Sequence, residues 1–132
     1  MNEIELFNQL PHIYLLIGVD APKFTILQAT DMHLETLNLK REYVIGKGFF
    51  ELFPDNPEQS YKNSVKLTHS FLHVIEKSEE HHMRNVQYDV ADKNGIFETM
   101  FWNVHNHPFF INGEVVAIIN NPVNLTSLFK QV

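Results

Sequence analysis

The side chains that could do chemistry here are mainly histidines and asparagines: the 132-residue chain has eight histidines and no cysteine. His105 and His107 lie two apart in an apolar segment, with Asn103 just before them. On a strand that spacing places all three on one face. Such a patch can hold a small anionic or hydrogen-bonding ligand. Equally, its members can satisfy one another and bound water inside a core. The imidazole pair could also serve a small metal-dependent enzyme. His69 and His73, four apart, share a side of any helix that carries them and could take zinc, or stand in solvent beside Lys66, Glu76 and Lys77. Neither pair is assigned a metal. His81 and His82 fall at a loop-to-strand junction and are expected at the surface. Catalysis needs a nucleophile, or an acid and a base, within reach. No Ser-His-Asp set suggests itself, so the domain is expected to be non-catalytic. Without cysteine there is no disulfide, thiolate metal site or cysteine nucleophile.

The elements that must position these groups are set by two Asn-Gly pairs, Asn94-Gly95 and Asn112-Gly113. Asn-Gly suits a two-residue type I′ turn, because both residues tolerate positive φ. The flanking apolar segments predict three antiparallel strands over 81–92, 96–110 and 114–123. Two-residue turns would set Tyr88 opposite Phe101, Asn103 opposite Pro122, His105 opposite Asn120 and His107 opposite Ile118. One face then carries Val86, Tyr88, Val90, Phe101, Asn103, His105, His107, Val116, Ile118 and Asn120. The other carries Gln87, Met100, Trp102, Val104, Ala117, Ile119 and Val123. Both are substantially apolar, so one should cover a core or pocket and the other should meet a helix or a partner.

The size fits one domain with a real core. A formal charge of −6 and the lack of any Lys/Arg cluster argue against a nucleic-acid surface. No apolar run approaches the roughly 20 residues of a membrane span, and the N-terminus lacks a signal pattern. With the absence of cysteine, this fits a cytoplasmic location. Residues 2–10 predict a short helix with an Ile4, Phe7 and Leu10 stripe. Strands are predicted over 13–19 and 24–29, and short helices over 32–37, 41–45 and 49–53. A long helix is predicted from Pro57 to Lys77, capped by Asp55 or Asn56. Leu67, Phe71, Val74 and Ile75 form its apolar side. Strands and helices in this order give an α+β domain: an antiparallel sheet with helices on one side.

That order, and three stretches of sequence, resemble a PAS domain over residues 11–126. The segment FFELFPDNPE at 49–58 resembles the junction into the long helix in a bacterial PAS group found in sensor histidine kinases. YDVADKNGIFETMFWNVHNHPFFINGEVVAII at 88–119, with Trp102, Asn106 and Pro108, resembles the same group. NLT at 124–126 resembles the closing Asp-x-Thr signature, with Asn124 in place of Asp. The resemblance implies a five-stranded antiparallel sheet with short helices and one long helix on one face. It also implies which face is inner, since the residues two and four before the closing position, Pro122 and Asn120, point into the pocket of a PAS domain. The ligand-binding set is then Tyr88, Phe101, Asn103, His105, Ile118 and Asn120, with Trp102 on the outer face.

Several functional expectations follow from the resemblance. The domain should sense a small ligand or a partner and regulate an attached output domain, a two-component sensor histidine kinase. The alternative is a ligand-free dimerisation or protein-interaction module, which a side-chain-filled interior would favour. Covalent flavin and coumaroyl chromophores require a cysteine and are excluded; haem is disfavoured because His69 and His73 lie round from the apolar stripe. Residues 1–10 should form a capping or dimerisation helix, and 127–132 the start of a connector to the output domain. A homodimer is expected through Ile4, Phe7 and Leu10 and an outer sheet face of Met100, Trp102, Val104 and Ile119, with no nucleic-acid or membrane contact.

Overall fold

The computed structural model describes residues 1–60 and 62–129. Of the predicted connector, residues 130–132 lie outside the described residues. Seven strands and six helices follow in order: α1 (Glu3–Asn8), β1 (Leu15–Gly18), β2 (Ile26–Ala29), α2 (Asp31–Leu37), α3 (Arg41–Val44), α4 (Phe49–Leu52), α5 (Asn63–Lys77), β3 (His81–Gln87), β4 (Val90–Ala91), β5 (Phe97–Glu98), β6 (Phe101–Ile111), β7 (Glu114–Asn124) and α6 (Thr126–Phe129). The main sheet is antiparallel in the order β2-β1-β7-β6-β3, and β4 pairs with β5 as a small separate ribbon. Helices α2–α5 lie on one face, and this is the PAS fold. Among the described residues no helix is long and apolar enough to cross a membrane.

Local chemistry accounts for most element ends. Thr30 caps α2 through its side chain, and Asn38 ends that helix in the left-handed conformation its short polar side chain tolerates. The Asn112-Gly113 turn has both residues at positive φ, 50° and 81°, as a type I′ turn requires. The first pair behaves differently. Only Gly95 is left-handed, and Asp92 pairs with Ile96 across a three-residue loop, its carboxylate accepting from the Asn94 and Ile96 amides. The long helix begins at Asn63, not Pro57. Residues 57–60 form turns instead, and Asp55 reaches across to accept from the Ser64 amide at 2.9 Å, so it serves the helix start from nine residues away.

The core lies between the sheet and α5. Leu67, Phe71 and Val74 meet Leu15, Ile17 and Ile118, while Phe24, Val44 and Phe49 close the side beneath β2. Phe24 and Phe71 are fully buried, with ring centroids 4.9 Å apart. Helix α1 lies on the opposite sheet face, where Phe7 and Leu10 approach Leu16, Gln28 and Phe109. Six helical residues are too few to hold without such docking.

Candidate functional site

The site follows from the register of β6. Next to the second turn Ile111 pairs with Glu114 and Phe110 with Val115, as a two-residue turn dictates. Phe109 then pairs with Ala117, which leaves Val116 as an extra residue on β7. This β-bulge shifts all later pairs by one: His105 meets Asn121, Asn106 meets Asn120, and Trp102 meets Asn124. A one-residue slip exchanges the faces of a strand. Strand β7 keeps its expected faces, with Ile118 and Asn120 inside, whereas β6 is reversed. Trp102 and Val104, expected outside, pack with the core. Phe101, Asn103 and His105, expected inside, alternate to the outer face, and the Asn103 side chain accepts from the Asn85 amide of β3. Met100 lies in the break before β6, where its carbonyl accepts from the Tyr88 amide. Of the predicted ligand-binding set, Tyr88, Ile118 and Asn120 are therefore internal. Of the predicted outer set, Ile119 keeps its face. The clue in the sequence is Pro108, since proline inside a central strand belongs beside a bulge.

Beneath the sheet runs a buried polar chain. The Asn120 side-chain amide donates to Asn106 Oδ1 at 2.8 Å, and the Asn106 amide donates to Ser70 Oγ at 2.8 Å. Ser70 Oγ then lies 2.7 Å from His81 Nδ1. Asn106 and Ser70 are fully buried and Asn120 nearly so. The chain joins β7, β6, α5 and β3, and it ends at the sheet edge, where His81 meets the His73 ring at 4.8 Å. Desolvation, then the neighbouring His73 and His82, hold the His81 imidazole below its ordinary pKa, with Glu79 opposing.

A second polar anchor lies further along. The Tyr88 hydroxyl donates to the Phe53 carbonyl at 2.7 Å, and Trp102 Nε1 donates to the Tyr88 carbonyl at 2.9 Å. Burial, and then the Asp55 charge, push the Tyr88 phenol above its usual range. The buried Asp89 carboxylate accepts from Asn56, Gln59 and Gln87. These bonds fix the 53–59 segment against the sheet.

On the outer face the slip gathers a different group. His82 and His105 are cross-strand partners with ring centroids 4.2 Å apart. His107 lies two residues along β6, and Glu80 approaches it, with Oε2 at 3.1 Å from His107 Nδ1. These histidines offer the described residues' one three-ligand cluster of metal-binding side chains. The other predicted histidines do not join it: His69 is exposed on α5, and His73 Nε2 contacts Glu79 at 2.9 Å.

Hollows open at the surface among the described residues. One, of about 440 Å³, lies between α5 and the turn at Pro22, lined by Phe50, Asp55, Val65, His69 and Leu72. Another, of about 320 Å³, lies under α1. The space between the sheet and α5 is occupied by Phe24, Phe71, Leu15, Ile17 and Ile118.

No family model and no curated protein matches the sequence. Solved structures do match. One is a light-oxygen-voltage domain studied with a flavin analogue, 16% identical with a TM-score of 0.64, covering 92% of this chain and 82% of that one. The PAS domain of the fruit-fly ELK potassium channel is 15% identical with a TM-score of 0.64, over 92% of this chain and 93% of that one. The light-state domain of the blue-light photoreceptor Aureochrome1 is 12% identical with a TM-score of 0.65, over 98% and 94%. At these identities the likeness is one of fold: a domain of the PAS and light-oxygen-voltage type. The covalent flavin chemistry of a light-oxygen-voltage domain does not fit the residues of this chain. The interior is filled by its own phenylalanines, and no cysteine is available for an adduct.

Proposed function

We propose that this chain is a sensory and signal-transduction module that regulates an attached output domain, and that it receives its input on the outer sheet face and α1. The observation that carries this reading is the packed interior beneath a PAS-type sheet. Where other modules could hold a ligand, this one places Phe24, Phe71 and Ile118 with no exposed surface. The outer side, in contrast, offers unburied apolar groups: Ile4 and Leu6 of α1 and Phe109 of β6 are all at least 43% exposed. A second copy seated there would bury them, and the patch would serve twice in a two-fold pair. The domain itself is non-catalytic in this reading. A sensor histidine kinase is the output suggested by the sequence motifs at 49–58 and 88–119. A contact on the outer face regulates output only if it favours one arrangement of β6 and β7 over another.

The alternative, a small ligand on the inner side, would have to insert among Asn106, Asn120 and Ser70, whose side chains already bond to one another. Native mass spectrometry of the purified protein separates the two. The expected result is a dimer at micromolar concentration with no organic small molecule bound, converted to monomer by Phe7→Glu. A co-purifying small molecule at one per chain would favour the pocket reading, and a monomeric wild type would sink the outer-face reading.

A further inference from the structure

The histidines on the outer face form a pattern that core packing does not require. Glu80 immediately precedes β3, two residues before His82, and His105 and His107 are two apart on β6. His81 pairs with Asn106 and His82 with His105, so the register continues with Glu80 beside His107. Four side chains thus occupy the corners of a rectangle on one face, since alternate residues share a face and cross-strand partners are neighbours. All four are donors of the kind that bind borderline metals, three imidazoles and one carboxylate.

We propose that Glu80, His82, His105 and His107 form a binding site for one divalent late first-row transition-metal ion, with zinc as the reference ion. One ligand atom from each of the three histidines lies within 4.8 Å of the others. A tetrahedral zinc with bonds of about 2.0–2.1 Å needs ligand atoms about 3.3 Å apart. Small rotations of partly exposed side chains close that gap. The Glu80 carboxylate reaches two of the three, with Oε2 3.1 Å from His107 Nδ1 and Oε1 3.6 Å from His82 Nε2. It supplies the fourth ligand and the negative charge. The pattern is also costly without a cation. Imidazoles this close repel when protonated, so gathering three of them with one carboxylate favours a bound cation over bound protons. Arg84 is a positive charge close to His105, and the Glu80 carboxylate opposes it. Strand β3 is the edge of the sheet, and the Glu80 side chain is 58% exposed, so an ion can enter from solvent.

The site is a property of the chain itself and stands whether or not the chain reports to an output domain. The test is calorimetric titration of zinc chloride into chelator-treated protein. The expected result is saturation at one ion per chain with a dissociation constant in the micromolar range or below. The His82→Ala/His105→Ala double variant should weaken binding by roughly 100-fold or more, since it removes two of four ligands. His69→Ala, an exposed histidine on α5, should leave binding unchanged and controls for adventitious uptake. Cobalt(II) loading should give the intense visible bands of a tetrahedral site in the wild type and not in the double variant. Far-ultraviolet circular dichroism checks that the variants fold. Absence of saturable binding, one ion per two chains, or equal affinity in the double variant would each overturn the proposal.

Discussion

The two faces of β6 put similar side chains to opposite uses within one residue of each other. Asn106 points inward, is fully buried, and donates and accepts within the Asn120–Asn106–Ser70 chain. His105 and His107 point outward, half exposed, against other imidazoles and one carboxylate. The first arrangement is closed: each group has its partner, and the chain ties three elements together. A satisfied buried network specifies structure and is costly to break. The second is open, with donor atoms gathered and no protein group that uses them all. Polar residues in a closed network hold a fold, and polar residues in an open cluster are available to something else.

The largest effect should come from opening the closed face. Asn106→Leu leaves the Asn120 amide without its acceptor inside the core and removes one of the two partners of Ser70 Oγ, which keeps His81 Nδ1. We expect a loss of up to about 3 kcal/mol in urea unfolding, since a buried orphaned group costs about 1–3 kcal/mol. A loss below about 1 kcal/mol would mean that the network is not closed in solution.

A nearly equal effect should appear on acidification. His33, on α2, is buried, and desolvation lowers its pKa from 6.5 to about 4, partly offset by a backbone hydrogen bond with Tyr14. The unfolded chain therefore takes up this proton at higher pH than the folded one. Stability contributed by neutral His33 is fully present above pH 6.5 and falls as the pH drops toward about 4, by about 3 kcal/mol in total. His33→Gln should flatten that slope in urea titrations at stepped pH. An unchanged slope would place the proton elsewhere.

Trp102→Ala tests which face carries the tryptophan. With Trp102 in the core and bonded to the Tyr88 carbonyl, the substitution should cost about 2 kcal/mol or more in stability. The sedimentation coefficient of the folded fraction should not change. Dissociation of a dimer without loss of stability would return Trp102 to an interface.

The smallest effect is expected on the open face. His105→Ala should change metal-free stability by no more than about 0.5 kcal/mol, as for surface substitutions that break no buried bond. Addition of zinc should raise the wild-type melting temperature and leave that of the variant where it was. A large metal-free loss would show that the cluster is a structural network after all.

Much of the fold is legible in local chemistry. The α5 stripe of Leu67, Phe71 and Val74 follows from helical spacing, and the β6–β7 turn from Asn112-Gly113. Strands β1 and β2, α2 and the sheet class follow from apolar runs and caps. The start of α5 was not legible, because Asp55 serves it through Ser64 from nine residues away and Asn56 reaches Asp89 instead. The polar chain was missed for a related reason. Asn106 and Ser70 lie 36 positions apart, and nothing local to either residue marks the other.

The sequence by itself determined the sets of residues that travel together on each strand, because side chains alternate with a period of two wherever the backbone is extended. It could not determine which set of β6 faces the core. That depends on one unpaired residue, Val116, whose displacement from the ladder moves every later β6 residue to the other side. The choice rests on packing across the whole sheet. Trp102 and Val104 fit beside Tyr88 and α5, while the imidazoles of His105 and His107 keep contact with water. Only the tertiary structure contains both sides of that comparison.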